Sequence, residues 1–140
     1  MTGKVELASQ QWLDALRGLI ERYLERAGAG VSLSICEVFT GVPEHLDQSG
    51  TGVIAWHCRI ENGRLQFGRG EIFDADIKTI ADYSFVLPFA RMKLDPGNMA
   101  EYERLQEQGR REGKLRRQGD LSIVPKAFYG MHNDLAEITA

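Results

Sequence analysis

The sequence predicts an α+β domain in which a five-stranded mixed, mainly antiparallel sheet is covered by helices. Three observations carry this. Apolar residues recur at spacings of three and four after Ser9 and change to alternation from Val31, the switch from the helix period to the strand period. Asn62-Gly63 separates two alternating runs, which is the strongest short-range hairpin signal. Helical patterns then return, with one more strand among them, and helices laid on one face of the sheet are the economical way to bury both sets of apolar residues.

The first helix, residues 9–28, has Ser9 as its N-cap. Trp12, Leu13, Leu16, Leu19, Ile20, Tyr23, Leu24 and Ala27 form its apolar stripe, and Gly28 and Gly30 stop it. The opposite face carries Asp14, Arg17, Glu21, Arg22, Glu25 and Arg26, an ordinary solvated surface. Val31, Leu33, Ile35 and Phe39 alternate with polar residues as a first strand, and residues 41–50, with Pro43 and two glycines, read as a loop. The second strand, 52–60, places Ile54, Trp56, Cys58 and Ile60 on one face, and the turn at Asn62-Gly63 pairs it antiparallel with a third strand, 64–72. In that strand Gly68 and Gly70 signal a bulge or a close approach. A fourth strand covers 75–81.

Asp82 caps a strongly apolar helix over 83–92, where Pro88 predicts a kink or an early stop. Asp95-Pro96 starts a mostly charged helix with a stripe of Met99, Tyr102 and Leu105, weakened at its end by Gly109 and Gly113. A last strand is expected over 115–122. A final helix is expected from Val124, Ala127, Phe128, Met131, Leu135 and Ile138 at near-helical spacing.

The 140 residues, 43% hydrophobic and 26% charged, fit one domain over 1–140, made of the helix at 9–28 and a sheet with helices over 31–140. Cys36 and Cys58 sit in apolar surroundings and read as buried thiols, which suits a reducing, cytoplasmic location. No apolar run approaches a membrane span and the opening does not resemble a signal peptide. A net charge of −3 argues against nucleic-acid binding. His45, His57 and His132 lack metal-ligand spacing, and no phosphate loop or nucleophile elbow is present, so neither metal nor cofactor is expected.

Three features stay open between a plain and a sharper reading. His57, with Arg59 and Glu61 on its strand face, is either solvated surface or the acid–base group of a small-molecule enzyme on a cone-shaped scaffold like the nuclear transport factor 2 folds. Arg110, Arg111, Lys114, Arg116 and Arg117 form the densest basic cluster, either a solvated face or a transient contact for an anionic membrane or an acidic partner. The second half is also rich in large, soft apolar residues that either fill the core or line an adaptable pocket.

The segment DADIKTIADYSFVLPFA, then GKLRRQGDLSIV, resembles the sterol carrier protein type 2 domain family. The residues carrying the resemblance are Asp76, Ile77, Thr79 and Asp82, then Gly113, Lys114, Leu115, Gly119 and Asp120, with the hairpin ENGRLQFGRG beside them. The resemblance spans residues 31–140. It implies a sheet packed by helices around an apolar tunnel that binds lipids, fatty acyl chains or sterol-like molecules without catalytic residues. By position, Phe85, Phe89, Met92, Leu105, Phe128 and Met131 are the expected tunnel residues.

Overall fold

The computed structural model describes residues 3–140. Helix α1 (Gln10–Ala27) is followed by strands β1 (Leu33–Thr40), β2 (Val53–Glu61), β3 (Arg64–Arg69) and β4 (Ile77–Asp82). Then come α2 (Tyr83–Ala90), α3 (Met99–Arg111), β5 (Leu115–Gln118) and α4 (Met131–Ile138). The strands form one sheet in the order β3-β2-β1-β4-β5. β1–β2, β2–β3 and β4–β5 pair antiparallel and β1–β4 pair parallel, the mixed, mainly antiparallel sheet expected.

The local signals act as their chemistry requires. Ser9 Oγ accepts from the backbone N–H of Trp12 at 3.1 Å, satisfying one of the unpaired donors of the first turn of α1. Gly28 ends the helix with φ +90°. The buried face of α1, from Trp12 to Leu24, packs on Phe39, Ile54, Trp56, Cys58 and Ile60, so the helix stripe and one face of the sheet close over each other. At the hairpin Asn62 and Gly63 both have positive φ, and a Cβ on Gly63 would lie 2.8 Å from the backbone of Ala29. Glycine is thus fixed there by backbone angle and by crowding.

The other sheet face is covered by chain rather than by helix. β3 ends at Arg69, three residues sooner than its apolar pattern predicts, and the chain folds back so that Ile72 and Ala75 pack over Cys36, Val38 and Ala55. Cys36 and Cys58 are free thiols with no exposed surface. Burial pushes the Cys58 thiol up to about 12.

Three expectations about the C-terminal third need correction. β5 stops at Gln118, because Gly119 turns with φ +95° against the carbonyl of Asp76. The single helix expected from Val124 onward is broken into 3-10 turns at Leu121–Ile123 and Lys126–Phe128 before α4. Pro125 is the reason: it drives Val124 into extended backbone (ψ 124°) and supplies no N–H to a helix through it. α3 likewise starts at Met99, since Asp95 Oδ1 accepts from the backbone N–H groups of Gly97 and Asn98 and holds a turn ahead of the helix.

Candidate functional site

The sheet face toward the helices is mostly apolar, with one polar position each in β1, β4 and β5. Register places Trp56, Glu37, Thr79 and Arg117 side by side in one row across four strands. Adjacent strands lie ~4.8 Å apart, so Glu37 and Arg117, two strands apart, have backbones separated by ~10 Å, with the short Thr79 between them. Arg117 Nε donates to Thr79 Oγ1 at 3.2 Å.

Above this row lies a cavity of about 190 Å³. The sheet provides Glu37, Phe39, Thr79, Leu115 and Arg117. Phe85, Val86 and Ala90 come from α2, Tyr102 and Gln106 from α3, His132 and Leu135 from α4, and Leu7 and Trp12 close the end. Two polar groups here lack the partners that burial normally demands, and a third, Glu37, is shifted by its surroundings. Gln106 is 7% exposed and its Oε1 accepts no hydrogen bond. The Trp56 indole N–H is buried without an acceptor. Glu37 is held above the ordinary carboxylate range chiefly by loss of water, against an opposing pull from the Arg117 charge. The Trp56 N–H also favours the anion, though it falls outside hydrogen-bond geometry. Burial raises the Tyr102 phenol in the same space.

Larger depressions occur elsewhere, but their chemistry differs. One of about 530 Å³ on the β2–β3 hairpin is lined by Arg59, Glu61, Asn62, Arg64 and Gln66. Another, of about 730 Å³ along α1 and α4, carries Arg22, Lys93, Asp134 and Glu137. Both are rimmed by charged side chains, whereas the cavity against the sheet pairs apolar walls with a few convergent polar groups, the usual make-up of a small-molecule site.

The six expected tunnel residues fall in different places. Phe85 is on the cavity wall. Phe89 stands behind it, its ring centre 5.0 Å from Phe85 and 5.5 Å from Tyr102. Met92 and Leu105 are half-buried outside the wall. Phe128 stacks on Tyr23 at 6.4 Å, and Met131 packs into the cluster formed with α1.

The resemblance-bearing residues join the strands beneath the cavity. Asp76 Oδ2 accepts from the Ser34 N–H at 2.9 Å, and the Asp76 N–H donates to Ser34 Oγ at 2.8 Å, locking β4 beside β1. Asp82 N–H donates to the Lys114 carbonyl at 3.0 Å, and Asp82 Oδ1 caps α2 through the Phe85 N–H.

His57 lies on the face away from the cavity. Its Nδ1–H donates to the Gly70 carbonyl at 2.9 Å, and its ring stands against Gly68, which explains that glycine. Arg59 beside it pairs with Asp74. No carboxylate among the described residues bonds to His57, so the acid–base pair of the enzyme reading is not assembled. In the basic cluster, Arg110 and Arg111 both pair with Glu107 and Lys114 pairs with Glu112, while Arg117 turns inward to the cavity.

Residue-level reading overlooks Glu37, Gln106 and Arg117 as a group. Glu37 does leave a trace, since it continues the stripe of Leu33, Ile35 and Phe39 with a carboxylate. Gln106 shares the helical face of Tyr102 and Gly109.

No helix among the described residues is long and apolar enough to cross a membrane. No protein-family model matches the sequence, and no curated protein matches it. Solved structures do. A crystal structure of sterol carrier protein 2 superposes with TM-score 0.57 and 16% identity over 96% of this chain and 100% of that one. The sterol carrier protein domain 2 of Helicoverpa armigera gives 0.54 and 12% over 90% and 86%. A conserved hypothetical protein of Thermus thermophilus, described as a possible sterol carrier protein, gives 0.52 and 17% over 95% and 87%. At these identities the likeness speaks to architecture, and the architecture of this chain is that of the sterol carrier protein 2 domain.

Proposed function

We propose that this chain binds an apolar or amphipathic small molecule, of the fatty acyl or sterol-like class, between its sheet and helices, and carries it without transforming it. The supporting observation is the 190 Å³ cavity walled by Phe39, Phe85, Val86 and Leu135, on a fold shared with sterol carrier protein 2. An apolar cavity of ~150 Å³ already holds a benzene-sized molecule. Burying ~200 Å² of apolar ligand surface would give a gross ~5 kcal/mol before ordering costs. A longer chain would need the space to extend past Phe85 toward Phe89, Met92 and Leu105 and under α4 toward Phe128 and Met131, opening a tunnel. Pro88 favours such an adjustment, because it leaves the Ser84 carbonyl without its helical donor.

Native mass spectrometry of the purified protein and titration with a fluorescent acyl probe test the reading. An apolar adduct or a saturable fluorescence rise is expected, with Phe85→Asp abolishing it while the circular dichroism spectrum is retained. A clean mass spectrum with no probe response overturns it. Delivery to or from an anionic membrane would rest on Arg116 together with the partly paired Arg110, Arg111 and Lys114; salt-sensitive binding to anionic vesicles is its expected signature.

A further inference from the structure

We infer that the ligand of this cavity carries a neutral head that is both hydrogen-bond donor and acceptor, a hydroxyl or primary amide, seated between Gln106 and Arg117, and that the site selects it over a carboxylate or an ammonium of equal chain length. The inference rests on the proposed binding function and names the ligand class for the same site.

The argument follows from what the buried groups lack. Gln106 Oε1 is an acceptor without a donor, on a side chain more than nine-tenths buried that lines the cavity. Leaving it unmade costs free energy that a ligand donor would recover. A carboxylate has no hydrogen to give it. Arg117 lines the same cavity; its guanidinium spends Nε on Thr79 and has no ion-pair partner among the described residues, so it offers donors to an acceptor. An ammonium meets Gln106, and Glu37 when that is ionised, but has nothing to accept from Arg117 and faces its like charge. A hydroxyl serves both sides at once. Glu37, in the same row, accepts from a hydroxyl or amide in either protonation state, and when ionised it repels a carboxylate head and so opposes the attraction of Arg117 for it. The Tyr102 phenol, kept protonated chiefly by burial, lines the same space and adds a neutral polar neighbour.

The test uses four probes of matched length against the full chain at neutral pH: octan-1-ol, octanoate, octylamine and n-nonane, with affinities read by calorimetry and thermal shift. Octan-1-ol is expected to bind about tenfold tighter than octanoate, the loss set by one buried acceptor left unmet, and tighter than octylamine, which leaves the Arg117 donors unmet. In Gln106→Leu the preference over octanoate should fall to within about twofold or threefold, with n-nonane binding undiminished. Octanoate or octylamine binding as tightly as octan-1-ol overturns the inference, as does a preference over octanoate that survives in Gln106→Leu. If that variant does not fold, the comparison of the four probes on the unaltered chain still decides. Binding of n-nonane without any head preference overturns this inference alone, whereas binding of none of the four overturns the carrier function beneath it as well.

Discussion

Glu37 occupies a strand position whose neighbours on the same face, Leu33, Ile35 and Phe39, are apolar, and its carboxyl has lost most of its water without gaining an ion pair at contact distance. Its folded-state protonation is raised above the ordinary carboxylate value by that desolvation. The sign follows from linkage: the folded chain holds this proton more tightly than the unfolded one, so its contribution to stability is fully present below the unfolded carboxylate value. It is lost as pH rises through the folded value. Glu37→Gln should therefore melt with the parent at pH 4 and above it at pH 8, with thermal unfolding at the two pH values as the measurement. Equal melting temperatures at pH 8 would show that Arg117 already compensates the charge. Cys36 and Cys58 give a second residue-scale expectation. Both thiols are pushed upward by burial, and the thiolate is the reactive form. Ellman's reagent should leave both unmodified in the native protein and react with two thiols in denaturant.

At the scale of the element, α3 shows helix propensity and packing in opposition. Gly109 lies inside α3, where alanine would be favoured by ~1 kcal/mol. A Cβ there would sit 2.2 Å from Cζ of Phe85, and that ring is held by Phe89 and bordered by the cavity. Gly109→Ala is expected to cost a net ~1–3 kcal/mol and, by pressing Phe85 into the cavity, to weaken acyl-probe binding. Denaturant titration and probe titration measure the two effects separately. The glycine that sequence reasoning takes as a weak helix end is therefore what lets α2 approach α3. The break before α4 has a similar lesson. The apolar stripe from Val124 to Ile138 has helical spacing, but spacing describes which side chains share a face and says nothing of Pro125, whose backbone forbids the continuous helix.

Across the whole molecule, the two ends of the described chain are joined. Val5 bridges Thr139 in parallel, the Val5 N–H donates to Ile138 and Ala140 N–H to Val5, both at 2.7 Å. Trp12 Nε1 donates to Thr139 Oγ1 at 3.2 Å, with Thr139 2% exposed. Thr139→Val leaves that indole N–H unmet in the core and should cost ~1–3 kcal/mol, read as a lower urea midpoint with an unchanged m-value. Because Trp12 also borders the cavity, the same contact ties the terminal seam to the ligand site. A bound ligand stabilises the whole: at a hundredfold excess over its Kd the gain is ~2.7 kcal/mol, so a binding probe should raise the melting temperature in proportion to the logarithm of its concentration.

Elements with strong local causes are legible in the chain before any contact is known. These are the Ser9-capped amphipathic helix, the Asn62-Gly63 hairpin, the Asp82 cap and the buried cysteines, each specified by residues within a few positions of one another. Which residues meet over the sheet depends instead on long-range pairing. Glu37, Thr79 and Arg117 come from three strands far apart in the chain, and they share a row because β4 inserts between β1 and β5 in a register that no local signal sets. Alternation assigns each residue a face of its own strand but not the strand that will lie beside it. For that reason the apolar surplus can be read from composition and pattern, while the polar row at the cavity floor becomes visible once the strands are in order.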